Sequence, residues 1–279
     1  MNQAEQLHTL ARRYCMVMAG YWGRKYSRLM NSGGDRTEGG DYTAEAEELF
    51  PRYLVLDAIL AELEQYDGAE FAAEEDAHKK ILSAVWNAQS LFTVNKPGVF
   101  QRTAEAERQA LAGYLEKRAA AGISHVSPLP YRRTLSEIER TLLWEDLSGR
   151  WEIRDFWYPL TEPKPPETEA FMEDYFAAEI GFNALRAILS AHGIGRIFEL
   201  REFEHSPEYQ LDVEGFNPVY TLNGEGYWFS AEMDWVIYAS HENSITIAGE
   251  WLLAEIKKIW PGWEERRWLD WQERQRRGI

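Results

Sequence analysis

Apolar residues recur at spacings of three and four through residues 4–30. Leu7, Leu10, Tyr14, Val17 and Tyr21 share one face there, and the spacing predicts a helix. The stretch Ser32-Gly33-Gly34-Asp35-Arg36-Thr37-Glu38-Gly39-Gly40-Asp41 has no apolar residue and predicts a flexible loop. A second stripe, Leu49, Tyr53, Leu56, Leu60 and Leu63, predicts a helix that ends at Tyr66-Asp67-Gly68. Pro51 is read near its start, where a missing N–H costs little. A third helix is predicted over 72–92, with Ile81, Val85, Ala88 and Phe92 inward, followed by a turn at Asn95-Lys96-Pro97-Gly98. A fourth runs from Thr103 to Ala121 and stops at Gly122. The stretch from Ser124 to Arg133, with Pro128 and Pro130, reads as a linker. Ser136 with Glu139 has capping-box spacing and opens a short helix ending near Gly149.

Beyond that point the period shortens. Residues 151–157 are predicted as a strand, Glu167 to His192 as a helix closed by Gly193, and 195–204 as a strand around Ile197, Leu200 and Phe203. Val219 to Leu222, the pair Asn223-Gly224, and Tyr227 to Ala231 read as a hairpin. Trp235-Val236-Ile237-Tyr238-Ala239 is apolar on both faces, the mark of a central strand, and Ser244–Ala248 follows across a short polar turn. Glu250 to Trp260 is predicted helical, and a last Arg- and Trp-rich helix runs to the C-terminus. The pattern implies an α+β protein: a helical region over 1–123, then over 134–279 a mixed, mainly antiparallel sheet with flanking helices. The two regions either stand apart or form one continuous domain. No repeat of 20–50 residues is visible.

Composition adds a core and removes a compartment. The 279 residues are 45% hydrophobic and 14% aromatic, well above what a disordered chain carries. The single cysteine, Cys15, lies among Met16, Val17 and Met18 and is expected as a buried thiol. The N-terminus lacks a basic and then apolar leader, and no apolar run reaches the ~18–20 residues that span a bilayer. The cytoplasm is the expected location.

Charge narrows the partners. The net charge of −16 is concentrated in two blocks. Residues 35–80 hold 14 acidic and 4 basic side chains, and 199–255 hold 12 acidic side chains with one basic, Arg201. Such surfaces repel duplex DNA and anionic membranes, so neither is expected to be bound directly; the charge either keeps the protein soluble or meets a basic protein partner.

Phosphate-binding loops, dinucleotide fingerprints, zinc-ligand pairs, nucleophile elbows and EF-hands are absent from the sequence. Gly193-Ile194-Gly195 follows a helix and reads as its cap. Asp35 and Asp41 share the glycine-rich loop without completing a cation-binding pattern. The six histidines show no ligand spacing, so neither metal nor cofactor is expected. Ser240-His241-Glu242 occupies a turn between strands. A solvated turn is the plain reading, but His241 beside Glu242 has general-base chemistry available, and strand pairing is expected to bring Asp234, Glu232 and Glu225 close to it. Seven of the 12 tryptophans lie at or after position 228. Core packing accounts for most of them, while Trp228 and Trp263 are the candidates for an interface.

The run Asp234-Trp-Val-Ile-Tyr-Ala-Ser-His-Glu-Asn-Ser-Ile-Thr-Ile-Ala-Gly-Glu-Trp251 resembles the strand–turn–strand–helix ending of bacterial polymorphic-toxin immunity-type proteins. The resemblance implies a protein that sequesters a toxin or effector, and an acidic face suits a basic toxin. On this reading Glu225, Trp228, Glu232, Glu242 and Trp263 form the contact face and no residue is catalytic. Two other expectations stand beside it. One is a hydrolase or nucleotide-acting enzyme using His241, Glu242, Asp234 and Glu232. The other is an accessory protein of a mobile element whose carboxylates mimic nucleic acid.

Overall fold

A computed structural model describes residues 1–90, 93–94, 97–123, 126–154, 156–203, 206–221 and 224–277. The chain forms two compact units, Met1–Leu129 and Pro130–Ile279. Among the described residues no helix is long and apolar enough to cross a membrane.

The first unit is built from α1 (Gln3–Asn31), α2 (Ala44–Leu63), α3 (Glu74–Asn87) and α4 (Val99–Ala121). Its core joins Leu7, Ala11 and Cys15 of α1 to Val55, Leu56, Ile59 and Leu63 of α2, Ile81 and Val85 of α3, and Leu111 and Leu115 of α4. The buried stripe on α1 therefore follows Leu7, Ala11, Cys15 and Ala19, while Val17 and Tyr21 of the expected stripe are exposed. Small residues let the neighbouring helices approach where larger ones do not fit. Pro51 stands inside α2 rather than at its start, because the helix begins at Ala44 under the Thr43 cap. The glycine-rich loop is organised. Arg36 bridges Tyr42, the Thr43 N–H donates to the Asp35 carbonyl at 3.0 Å, and the Arg36 guanidinium lies 3.6 Å from the Tyr42 ring centre. Phe92, Asn95 and Lys96 of the expected third helix and turn lie outside the described residues.

The second unit holds a seven-stranded sheet whose strand pairs are all antiparallel. Its strands are β1 (Arg132–Thr134), β2 (Thr168–Met172), β3 (Arg196–Arg201), β4 (Tyr209–Asp212), β5 (Gly226–Phe229), β6 (Val236–Ser240) and β7 (Ser244–Ala248), in the order β1-β4-β3-β5-β6-β7-β2. The helices are α5 (Glu137–Trp151), α6 (Glu173–Glu179), α7 (Gly181–Ala191), α8 (Glu250–Ile259) and α9 (Trp271–Arg277). Both faces of the sheet are covered. Trp228, Ile237, Ala239, Ile245 and Ile247 meet Leu185 and Leu189 of α7 and Leu252 and Ile256 of α8. Tyr227, Phe229, Val236 and Tyr238 meet Leu147 and Trp151 of α5 and the following Trp157. Strand β6 lies between β5 and β7 and is buried at every position, as an all-apolar run requires.

Four local expectations give way to strand pairing and packing. Residues 168–172 form β2 instead of opening a helix, because their backbone pairs with β7 from Thr168↔Ala248 to Met172↔Ser244. Among the described residues of 151–157 no strand is formed: α5 runs on to Trp151, and an isolated bridge joins Arg154 and Phe156. Of the expected hairpin, Leu222 and Asn223 lie outside the described residues, and the second arm, β5, pairs with β3 and β6. The basic C-terminal stretch is also no single helix. A 3₁₀ turn, Trp263–Arg266, precedes an Arg267 bridge to Phe171, and only then does α9 begin.

Candidate functional site

Strands β6 and β7 are joined by His241-Glu242-Asn243, with Ser240 paired to Ser244. Asn243 takes the left-handed conformation that closes such a turn, φ 55°, which an Asn accommodates better than most residues. Because β5 runs antiparallel to β6, Glu225 at the start of β5 arrives beneath the turn. His241 Nδ1 and Glu225 Oε1 lie 2.5 Å apart, within hydrogen-bond distance. Glu225 is fully buried while 48% of the His241 side chain is exposed. The second ring nitrogen, Nε2, lies 3.6 Å from Glu242 Oε1.

Residues distant in sequence complete the rim. The Phe156 and Tyr220 rings stand edge-on to His241 at 6.4 and 6.3 Å between centres. Glu202 Oε2 accepts from the Glu225 N–H at 3.3 Å. The Glu173 N–H donates to the Asn243 carbonyl at 3.1 Å, and the Asn243 amide donates to Asp174 at 3.0 Å. From the C-terminal segment, Trp268 donates its indole N–H to the Glu242 carbonyl at 3.0 Å, and Arg274 approaches the Glu242 carboxylate at 3.3 Å.

Two carboxyls here depart from ordinary behaviour. Burial pushes Glu225 up, against the hydrogen bonds from His241, and Glu202 pushes it further. Burial, reinforced by Asp174 and opposed by a hydrogen bond from the Tyr220 backbone, pushes Glu173 up to about 7. From the ordinary value of 4.5 up to about 7, folded Glu173 holds a proton that the unfolded chain has released. Stability therefore falls as pH rises through that window, by an amount on the order of 1–3 kcal/mol. Glu173→Gln is expected to raise the melting temperature at pH 8 and to flatten the pH–stability curve between pH 5 and 8. An unchanged curve in thermal melts at several pH values would count against this placement of Glu173.

The residues singled out in the sequence are divided among several places. Asp234 and Glu232 are exposed at the far end of β6, and a strand of that length sets them roughly 20 Å from His241. They cannot join it as acid–base partners. Asp234 instead accepts the Trp251 indole N–H at 2.8 Å. Glu242 stays beside His241. Glu225 and Trp228 are fully buried and so present nothing to a partner. Trp228 packs against Phe216 and donates its indole N–H to Glu199 at 2.9 Å. Trp263 is half-buried, with Lys257 4.0 Å and Arg267 4.8 Å from its ring.

Besides Glu242, four of the 12 carboxylates in the acidic block 199–255 are paired with lysine or arginine side chains. Glu199 meets Arg201, Glu208 meets Arg140, Asp212 meets Arg196, and Glu255 meets Lys258. No local pattern marks Glu173, Phe156, Tyr220, Glu202 or Arg274, since they are brought together only by contacts between segments far apart along the chain. Among the described residues no group of three or more metal-ligating side chains is gathered. Cys15 is buried, and burial raises its thiol pKa, which keeps it protonated. Compared with family models, curated proteins and solved structures, the chain matches none.

Proposed function

We propose that this chain is a binding protein that sequesters a protein partner with a basic surface, in the manner of an immunity-type inhibitor of a toxin or effector. Its contact surface is the rim around the β6–β7 turn. The observation that carries this reading is a set of exposed aromatic rings, Phe156 at 40%, Tyr220 at 39% and Phe203 at 48%, on the same rim as Glu173, Glu202 and Glu242. Phe203 joins the set through Gly224, whose neighbouring space it fills beside Glu202. Aromatic side chains supply most of the affinity of protein interfaces, and carboxylates around them speed encounter with a basic partner. The immunity-type resemblance of residues 234–251 points the same way.

The test is a binding measurement between the full chain and the protein that co-purifies with it in its native cell. Phe156→Ala with Tyr220→Ala is expected to weaken that complex at least about tenfold, and added salt should slow association. Glu232→Gln, at the far end of β6, should leave both unchanged. A complex indifferent to the double substitution in a normally folded variant would remove the reading.

The 2.5 Å contact between His241 and Glu225 favours a second reading, a hydrolase in which His241 Nε2 takes a proton from water. The carboxylates around it oppose an anionic substrate, which weighs against nucleotides. On this reading His241→Ala abolishes biological activity while partner affinity persists.

A further inference from the structure

The two edges of the sheet are defended differently. At one edge, β1 is three residues long and carries Arg132 and Arg133, and a short charged strand offers little for another chain to pair with. At the other, β2 is five residues long and carries one charge, Glu169. Its odd-numbered residues turn their backbone groups to β7: the Gly249 N–H donates to the Glu167 carbonyl, and the Glu173 N–H to the Asn243 carbonyl, both at 3.1 Å. Alternation therefore turns the backbone groups of Thr168, Ala170 and Met172 to the outer side.

Residues 267–277 lie on that outer side and run on to the β6–β7 turn. Arg267 forms an isolated antiparallel bridge with Phe171, and the Trp268 N–H donates to the Ala170 carbonyl at 2.8 Å. Arg267 meets the Glu169 carboxylate at 3.2 Å. The Trp268 indole donates to the Glu242 carbonyl at 3.0 Å, and Arg274 meets the Glu242 carboxylate at 3.3 Å. None of the residues described after Trp260 is buried. This segment is thus tied down by partly exposed ion pairs and a few hydrogen bonds, with no core of its own. Such pairs are weak and screened by salt, and a segment held in this way opens far more easily than the sheet beneath it.

We propose that residues 267–277 are a releasable strap over β2, and that β2, once uncovered, pairs antiparallel with β2 of a second copy of this chain. The edge is complementary to itself. Pairing about Ala170 sets Ala170 opposite Ala170 and Thr168 opposite Met172, which matches the outward backbone groups of both strands. It sets each Glu169 opposite a Phe171, so like charges are not directly apposed. Thr168, Glu169, Ala170 and Phe171 are already buried on the faces of the sheet, so the contact is made through the backbone of the edge. A basic peptide has less to gain there, because Glu169 is already met by Lys164 at 2.9 Å and Lys257 at 3.7 Å.

Two measurements on the full chain test this. In the unsubstituted protein, the Trp268 amide hydrogen is expected to exchange at least about tenfold faster in about 0.5 M than in about 0.05 M sodium chloride, while those of Ile237 and Ile245 keep their rates. The second uses the full-length variant Trp268→Pro with Arg274→Glu. It loses the N–H given to Ala170, the indole held on Glu242 and the ion pair to that carboxylate. Sedimentation should show a monomer for the parent and a dimer for the variant at a concentration on the order of 0.1 mM. The Ala170 and Met172 amides should be protected in that dimer and exchange freely on dilution. A Trp268 amide that exchanges as slowly as Ile237 and ignores salt would mark a fixed cover and overturn the proposal. A folded variant that stays monomeric, or one that dimerises with Ala170 and Met172 unprotected, would overturn it equally. A variant unable to fold would make the segment part of the core and would also remove the strap.

Discussion

Trp228→Ala is expected to lower the unfolding free energy of the sheet unit by about 4 kcal/mol, the range of a large aromatic removed from a closed core. The indole is fully buried on an interior strand, packs against Phe216, and lies so close over Gly226 that a Cβ there would stand 2.3 Å from the ring. Truncation leaves a cavity and also takes the indole donor from Glu199. Trp228→Phe, which keeps part of the volume, should cost less. Urea unfolding followed by circular dichroism measures both. A loss under ~1 kcal/mol for the alanine variant would mean that the indole is not a core element and would return it to the surface role that its sequence position suggested.

Glu208→Ala is expected to cost about 3 kcal/mol in the same unit, because it leaves buried donors without an acceptor. The carboxylate has no exposed surface and accepts from Arg140 Nε at 2.5 Å, Trp144 Nε1 at 2.9 Å and the Arg201 N–H at 2.8 Å. It thereby ties α5 to the β3–β4 side of the sheet. Arg140 is partly exposed and recovers some hydration when its partner is lost, which holds the expected cost to the lower part of the range for broken buried pairs. The melting temperature should fall by roughly 6–12 °C for a unit of this size. A fall of less than ~2 °C would show that water replaces the carboxylate at little cost.

These two residues mark the boundary of what the chain discloses locally. Trp228 and Glu208 both read from sequence as members of an acidic, tryptophan-bearing segment. Three of that segment's 12 carboxylates are paired with Arg140, Arg196 and Arg201, and its first tryptophan is interior. Composition counts charges without their partners, so a one-sided block need not be a one-sided surface.

What the sequence determined by itself is what backbone geometry sets over a few residues. The Ser136–Glu139 capping box opens α5, Gly122 and Gly193 close helices with positive φ, and the all-apolar run 235–239 lies within a buried central strand and the residue before it. Periodicity also separated a helical first part from an antiparallel sheet with flanking helices. Tertiary structure alone decided which helical-looking segment becomes a strand: residues 168–172 do so because β7 offers an edge for their backbone hydrogen bonds. It likewise decided the site. The length of β6 parts His241 from Asp234 and Glu232, while antiparallel pairing delivers Glu225, and the β2–α6 junction delivers Glu173. The nearer of those partners, Glu225, already lies 16 residues from His241 along the chain. Their meeting depends on strand order and register, which are fixed by the burial of both sheet faces rather than by any local spacing.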